Sequence, residues 1–272
     1  MTLATAIVII ETLATFSPSP VAIVPDKMSG FYIACPNGIY HYEDDTLAQN
    51  TSRADNEMLS GITDIAFSGQ WLYVAVPMKN TIYQYDRFLR LRGKIDTGMF
   101  YPQQIAVYSD GSICAFDEMR QKIIEYSSVG DPVENFKIIS KSSLKNPVLI
   151  GIANWKDFIH CIAGENDLNS NLSQQIVSVE TPIVWSSSSK YIAAGVERDV
   201  SFGISNDIEN IYLSDRDIAY FLSSGEMVIC GQPPIEWTLP TPSQIVIEKI
   251  AKKYILYCII EDKIVEVVVK WE

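Results

Sequence analysis

Three short patterns recur in the same order along this chain. That order constrains the fold more than any other feature of the sequence. The first pattern is an apolar residue, a small one and another apolar one: VAI at 21–23, IAF at 65–67, IAV at 105–107, IGI at 150–152, FGI at 202–204 and IVI at 245–247. The second is an aromatic and β-branched run: FYIAC at 31–35, WLYVAV at 71–76, SICAF at 112–116, FIHCI at 158–162, NIYLS at 210–214 and YILYCII at 254–260. The third reads GIYHY at 38–42, TIYQY at 81–85, KIIEY at 122–126, QIVSV at 175–179, DIAYF at 217–221 and KIVEV at 263–267. Runs of this length and composition read as strands. Chance apolar runs would not keep one order six times.

The spacing sets the repeat. In the third pattern Ile39, Ile82, Ile123, Ile176, Ile218 and Ile264 stand 43, 41, 53, 42 and 46 residues apart. A period near 45 in strand-type sequence predicts propeller blades of about four strands each. The expected fold is all-β: a six-bladed β-propeller of four-stranded antiparallel blades in a single domain over 1–272. The blades fall at about 20–61, 62–101, 102–146, 147–197, 198–241 and 242–272. Innermost strands converge on a central channel, which explains the small Ala22, Ala66, Ala106, Gly151 and Gly203; Val246 departs from the rule. Outer strands are expected at 91–96, 132–139, 181–194 and 226–238. The last blade lacks one after KIVEVVVKW, and the apolar stretch at about 3–10 is expected to fill that place and close the ring. No Lys or Arg precedes this stretch and it breaks at Glu11, so it reads as a strand rather than an export signal. Pro20, Pro102 and Pro147 precede inner strands, where a proline costs no ladder hydrogen bond.

Composition narrows the function classes. The chain is 47% hydrophobic and 20% charged, enough for a substantial core, and its net charge is −12. Sequence-independent binding to a phosphate backbone needs clustered Lys and Arg, so nucleic acid is not the expected partner. The local basic spot of Arg87, Arg90, Arg92 and Lys94 lies on one outer strand and its approach, where acidic neighbours can pair with it. The five cysteines form no CxxC pair and sit mostly in apolar runs; with only two histidines, no structural zinc site of ordinary spacing is expected. Small buried thiols in a reducing compartment, hence a cytoplasmic location, are the expectation.

The stretch PQQIAVYSDGSICAFDEMRQKIIEYSSVG at 102–130 resembles an NHL-type propeller repeat. Pro102, Asp110, Gly111, Asp117, Tyr126 and Gly130 carry the likeness. The second repeat matches more loosely, with Pro77 near the position of the second Asp. The resemblance implies a six-bladed propeller and no particular activity, because propellers host many functions.

The catalytic inventory is thin. His41 and His160 lie in strand runs, away from any Ser or Cys relay, and neither a phosphate-binding Gly-rich loop nor HExxH occurs. Asn154 and Asn206 follow inner strands and read as turn residues. Loops between second and third strands, with the loops linking blades, share one face. There Asp117, Glu118, Arg120, Glu165, Asn166, Asp167, Asp215, Arg216, Glu261 and Asp262 are expected to form a largely acidic rim. Phe100 and Tyr101 stand beside it as candidate interface anchors. The polar insertion from Gly164 to Ser173 accounts for the 53-residue step and is either a contact loop or a tolerated insertion.

The reading is a non-enzymatic scaffold that binds a protein partner, or a structural component of a larger assembly such as a viral particle. A metal-dependent lactonase or hydrolase with a site at the channel mouth is the alternative. A sugar or other small ligand in that mouth is the second alternative. No cofactor is expected, and a divalent cation enters only with the hydrolase.

Overall fold

The structure is a computed structural model that describes residues 6–28, 30–44, 46–120, 122–136, 147–155, 158–165, 174–178, 184–185, 191–193, 196–198, 208–213, 217–222, 224–229 and 232–271. The described residues hold six four-stranded sheets, every assigned strand pair antiparallel, and two small hairpins. Their only helix is one 3-10 turn, Pro77–Lys79. None has a helix long and apolar enough to cross a membrane. The chain divides into two compact units, Thr5–Asn135 with Pro242–Glu272, and Met1–Ala4 with Phe136–Thr241.

The first unit contains four sheets. The first sheet runs Ala22–Pro25, Gly30–Cys35, Gly38–Glu43, Thr46–Thr51, and the second Asp64–Ser68, Trp71–Val76, Thr81–Asp86, Leu91–Asp96. The third runs Gln104–Val107, Ile113–Asp117, Lys122–Tyr126, Pro132–Phe136. The closing sheet runs Gln244–Ile250, Lys253–Ile260, Lys263–Trp271 and then, as its fourth strand, Ala6–Thr15. The inner strand of the first sheet lies beside those of the closing and second sheets, and the second beside the third.

Strand periodicity explains why the second strands are apolar throughout. Alternate side chains point to opposite faces, and here both faces are covered by another sheet. Tyr32 and Ala34 pack towards the second sheet, with Phe67, Leu72 and Val74. Phe31, Ile33 and Cys35 pack towards the closing sheet, with Phe16, Val246 and Ile259. Likewise Tyr73 and Ala75 face the third sheet, with Ile105 and Ile113. Val246 is therefore a core residue between two sheets, which accounts for its size. Cys35, Cys114 and Cys258 are buried free thiols. Burial pushes the Cys35 thiol up to about 11 and the Cys258 thiol higher still, so neither is poised to react.

The N-terminal strand differs from its expected span. It runs from Ala6 to Thr15, pairs from Ala6↔Trp271 to Thr15↔Lys263, and passes through Glu11 without a break. Glu11 is exposed on this outermost strand, so its charge stays in water and does not end the pairing.

The other unit holds two four-stranded sheets. One runs Pro147–Trp155, Phe158–Glu165, Gln174–Ser178, Val184–Trp185, in the expected order. The other runs Ile208–Leu213, Ile218–Leu222, Glu226–Ile229, Ile235–Glu236. Here NIYLS contributes the first strand of the sheet rather than the second, DIAYF the second rather than the third, and Glu226–Ile229 the third. Met227, Val228 and Ile229 are buried, as an internal strand requires. The expected inner run FGI at 202–204 lies outside the described residues.

Candidate functional site

Backbone hydrogen bonds build the rim in the first unit. Thr97 N donates to Asn80 O (2.8 Å), Ile62 N to Pro36 O (3.1 Å) and Phe16 N to Asp262 O (2.8 Å). Each bond ties a linker between sheets to a turn between second and third strands, so both kinds of loop share one end of these sheets.

Three methionines stand out from this rim. Met78 (83% exposed) is in the 3-10 turn, Met99 (82%) in the linker between second and third sheets, and Met119 (79%) in the third sheet's turn. Met58, in the hairpin of Arg53–Ala54 and Glu57–Met58, is exposed as well. Lys79 Nζ meets Glu57 Oε2 at 2.6 Å, each favouring the other's charged form. Arg120 spreads its guanidinium over the Tyr101 ring, 4.8 Å from the centroid.

The candidate rim residues take different places. Asp117 is fully buried and accepts from Tyr101 N (3.1 Å), Arg120 N (3.0 Å) and Arg120 Nη1 (2.7 Å). It organises the turn and offers nothing to a ligand. Phe100 is buried against Ile95 and Ile105, in the core rather than on a binding face. Tyr101, Glu118, Arg120, Glu261 and Asp262 reach the surface; Glu261 takes φ of +56° in its turn. Glu165 ends the second strand of its sheet in the other unit. Asn166, Asp167, Asp215, Arg216 and Asn206 lie outside the described residues.

The heads of the inner strands carry polar groups that sequence reasoning passed over. Asp64 Oδ2 accepts from Ile105 N of the next inner strand (2.8 Å) and Oδ1 from Ile65 N (2.9 Å). Gln244 Oε1 accepts from Ile23 N in the same manner (2.6 Å). Dense surrounding protein raises the Asp64 carboxyl to about 7, against the pull of the two amides. The available signal was a polar residue opening an apolar run: TDIAF, PSQIVI.

At the opposite end of the first sheet, the loop 26–29 and the end of the third strand converge. Asp26 Oδ1 accepts from Met28 N (2.7 Å) and Gly30 N (3.0 Å), and Oδ2 meets His41 Nε2 at 3.0 Å. Burial pushes the Asp26 carboxyl up, but the His41 bond and the two amides outweigh it and hold it below the usual carboxylate range. The Tyr32 ring stacks on the imidazole at 4.2 Å and 16°. His41 Nδ1 is buried without a hydrogen-bond partner and lies 3.7 Å from Glu43 Oε1. Glu248 on the neighbouring inner strand is raised by burial and then by the Asp26 charge. A signal for part of this cluster was present: His41 and Glu43 alternate along one strand and so share a face. Asp26, fifteen residues earlier, gave none.

Repeated antiparallel four-stranded sheets with neighbouring inner strands define a β-propeller, and known structures agree. The chain is similar to a streptogramin B lyase (10% identity, TM-score 0.63, 97% of this chain and 98% of the other). It is similar to virginiamycin B lyase from Staphylococcus aureus (12% identity, TM-score 0.53, 97% and 99%). It is also similar to the WD40 repeats of RRP9 (10% identity, TM-score 0.59, 97% and 97%). At these identities the likeness establishes the propeller fold alone. No family model and no curated protein matches the sequence.

Proposed function

We propose that this chain is a six-bladed, NHL-type propeller acting as a non-enzymatic scaffold that binds a protein partner or builds into a larger assembly. The observation that carries this reading is the exposure of Met78, Met99 and Met119 on one rim. Flexible, polarisable thioethers presented on one rim adapt to a partner's surface. Tyr101 beneath Arg120 adds an amphipathic anchor of the kind enriched at interfaces. The net charge of −12 favours a partner with a basic surface over nucleic acid. The RRP9 repeats share the fold, and buried reduced thiols suit a cytoplasmic protein.

The test compares wild type with a triple variant, Met78→Ser, Met99→Ser and Met119→Ser, as immobilised baits. A partner retained stoichiometrically by wild type and lost by the variant supports the reading. Equal retention by both, with melting unchanged, overturns the rim as the contact.

A second reading is a lactonase-like or lyase-like enzyme working at the heads of the inner strands. The observation favouring it is Asp64, whose near-neutral carboxyl suits proton transfer. Hydrolysis or ring-opening of a lactone, abolished in Asp64→Asn, would replace the first reading.

A further inference from the structure

We infer that the first sheet carries a site for a divalent transition-metal ion of the zinc class, ligated by His41 Nδ1 and the Glu43 carboxylate, with Asp26 orienting the imidazole from behind. The site lies at the opposite end of the sheet from the methionine rim and stands independently of the scaffold reading.

Asp26 holds two backbone amides on Oδ1, an arrangement that favours its anionic form. An anionic Oδ2 at 3.0 Å from Nε2 requires the proton on Nε2. That pair leaves Nδ1 as the ring nitrogen free to face Glu43. It is buried, and among the described residues no donor reaches it. The group that faces it, Glu43 Oε1, is a carboxylate oxygen. An unpartnered ring nitrogen and a carboxylate oxygen this close are a ligand pair that one metal ion can bridge.

Distance discriminates the kind of cation. A shared proton draws nitrogen and oxygen to about 2.7–3.2 Å; here they stand 3.7 Å apart. An ion about 2.1 Å from each, the usual zinc spacing to imidazole and carboxylate, subtends about 120° across that gap. The carboxylate–imidazole–ion order is also the arrangement by which proteins fix a ligand's tautomer and raise its basicity. Tyr32 holds the ring plane by stacking. The half-exposed Glu43 side chain opens the site to solvent, which completes the coordination with water. An imidazole nitrogen with a carboxylate oxygen suits zinc, copper or nickel rather than calcium or magnesium.

The experiment is a Zn²⁺ titration of the intact chain, followed by imidazole ¹⁵N NMR. Only two histidines exist, so assignment by His41→Gln is direct. The expected result is one saturable site that moves the His41 Nδ1 resonance. Glu43→Gln, an exposed change that leaves the Asp26–His41 pair in place, weakens binding at least about tenfold, and Asp26→Asn by about 10–100-fold. Three outcomes overturn the inference. The His41 resonances stay unmoved at millimolar Zn²⁺; or Glu43→Gln binds as tightly as wild type; or the metal-free ring at pH 7 is protonated on both nitrogens.

Discussion

Two loops of the first unit use one backbone device and end differently. At the turn 26–29 the Asp26 carboxylate accepts the amides of residues two and four further on, Met28 and Gly30. At the turn 87–90 Asp86 does the same with Phe88 (2.9 Å) and Arg90 (3.0 Å). Each has one oxygen left for a basic side chain. Asp86 receives Arg92, through Nε at 2.9 Å and Nη2 at 2.6 Å. Asp26 receives His41. A guanidinium only donates, so the Asp86 loop ends as a closed structural pair. An imidazole has a second ring nitrogen, so the Asp26 loop leaves Nδ1 facing Glu43. The same cradle is a staple in one sheet and the base of a site in the next.

Several changes would break or sharpen that contrast. The largest effect is expected at Gly30. A Cβ there would overlap the Tyr42 carbonyl oxygen and stand 3.0 Å from Asp26 Oδ2. Gly30→Ala should cost about 3 kcal/mol, read by urea unfolding. Arg90→Ala, at the corresponding place in the other cradle, should stay within about 0.5 kcal/mol. Equal costs would mean that the Gly30 position has room for a Cβ after all.

Next comes removal of the carboxylates. Asp26→Ala strands a buried imidazole and two amides, and is expected to cost about 2–3 kcal/mol. Asp86→Ala should cost about 1 kcal/mol, because Arg92 is half-exposed and turns to water. Denaturant midpoints measure both, and a reversed order would sink the argument from burial.

Smaller still is the pH response. The Asp26 carboxyl is held low when folded, so its contribution is present above about pH 4 and lost as pH falls through its folded value. The Asp64 carboxyl is held high, at about 7. Its contribution is complete below about pH 4 and lost as pH rises through 7. Stability is therefore expected to decline between about pH 4 and 7 by about 1 kcal/mol from Asp64, discounted because solvent still reaches it. Melting scans of Asp64→Asn should show a flatter profile there than wild type. The smallest effect belongs to the rim: Met99→Ser should leave melting within the equivalent of about 0.5 kcal/mol.

Most of the sheets were legible because burial on both faces leaves a mark. FYIAC and WLYVAV have no polar side and can only be sandwiched. The N-terminal strand was misjudged at Glu11 because a charge in an apolar run does not reveal that it sits on an outer strand. The slip in the sheet of Ile208–Glu236 arose because EMVI, read as outer, is as buried as an internal strand. The rim was legible as a set of loops but not as a surface. Phe100 looked like an anchor and packs inward, while Met78, Met99 and Met119, assigned no role from the sequence, stand in water. Pairing between Asp26 and His41 depends on how a loop folds back over a strand, and no periodicity records that.

The pairing of Ala6–Thr15 with Lys263–Trp271 also sets a timetable for synthesis. This strand leaves the ribosome before its partner, which lies about 250 residues behind it, roughly 12–50 seconds at ordinary translation rates. Neighbouring sheets can form meanwhile from local hairpins, but this one cannot. Throughout that interval AIVII is an apolar segment with an open edge. Its safety in the cell rests on the pace of elongation and on whatever holds the nascent chain.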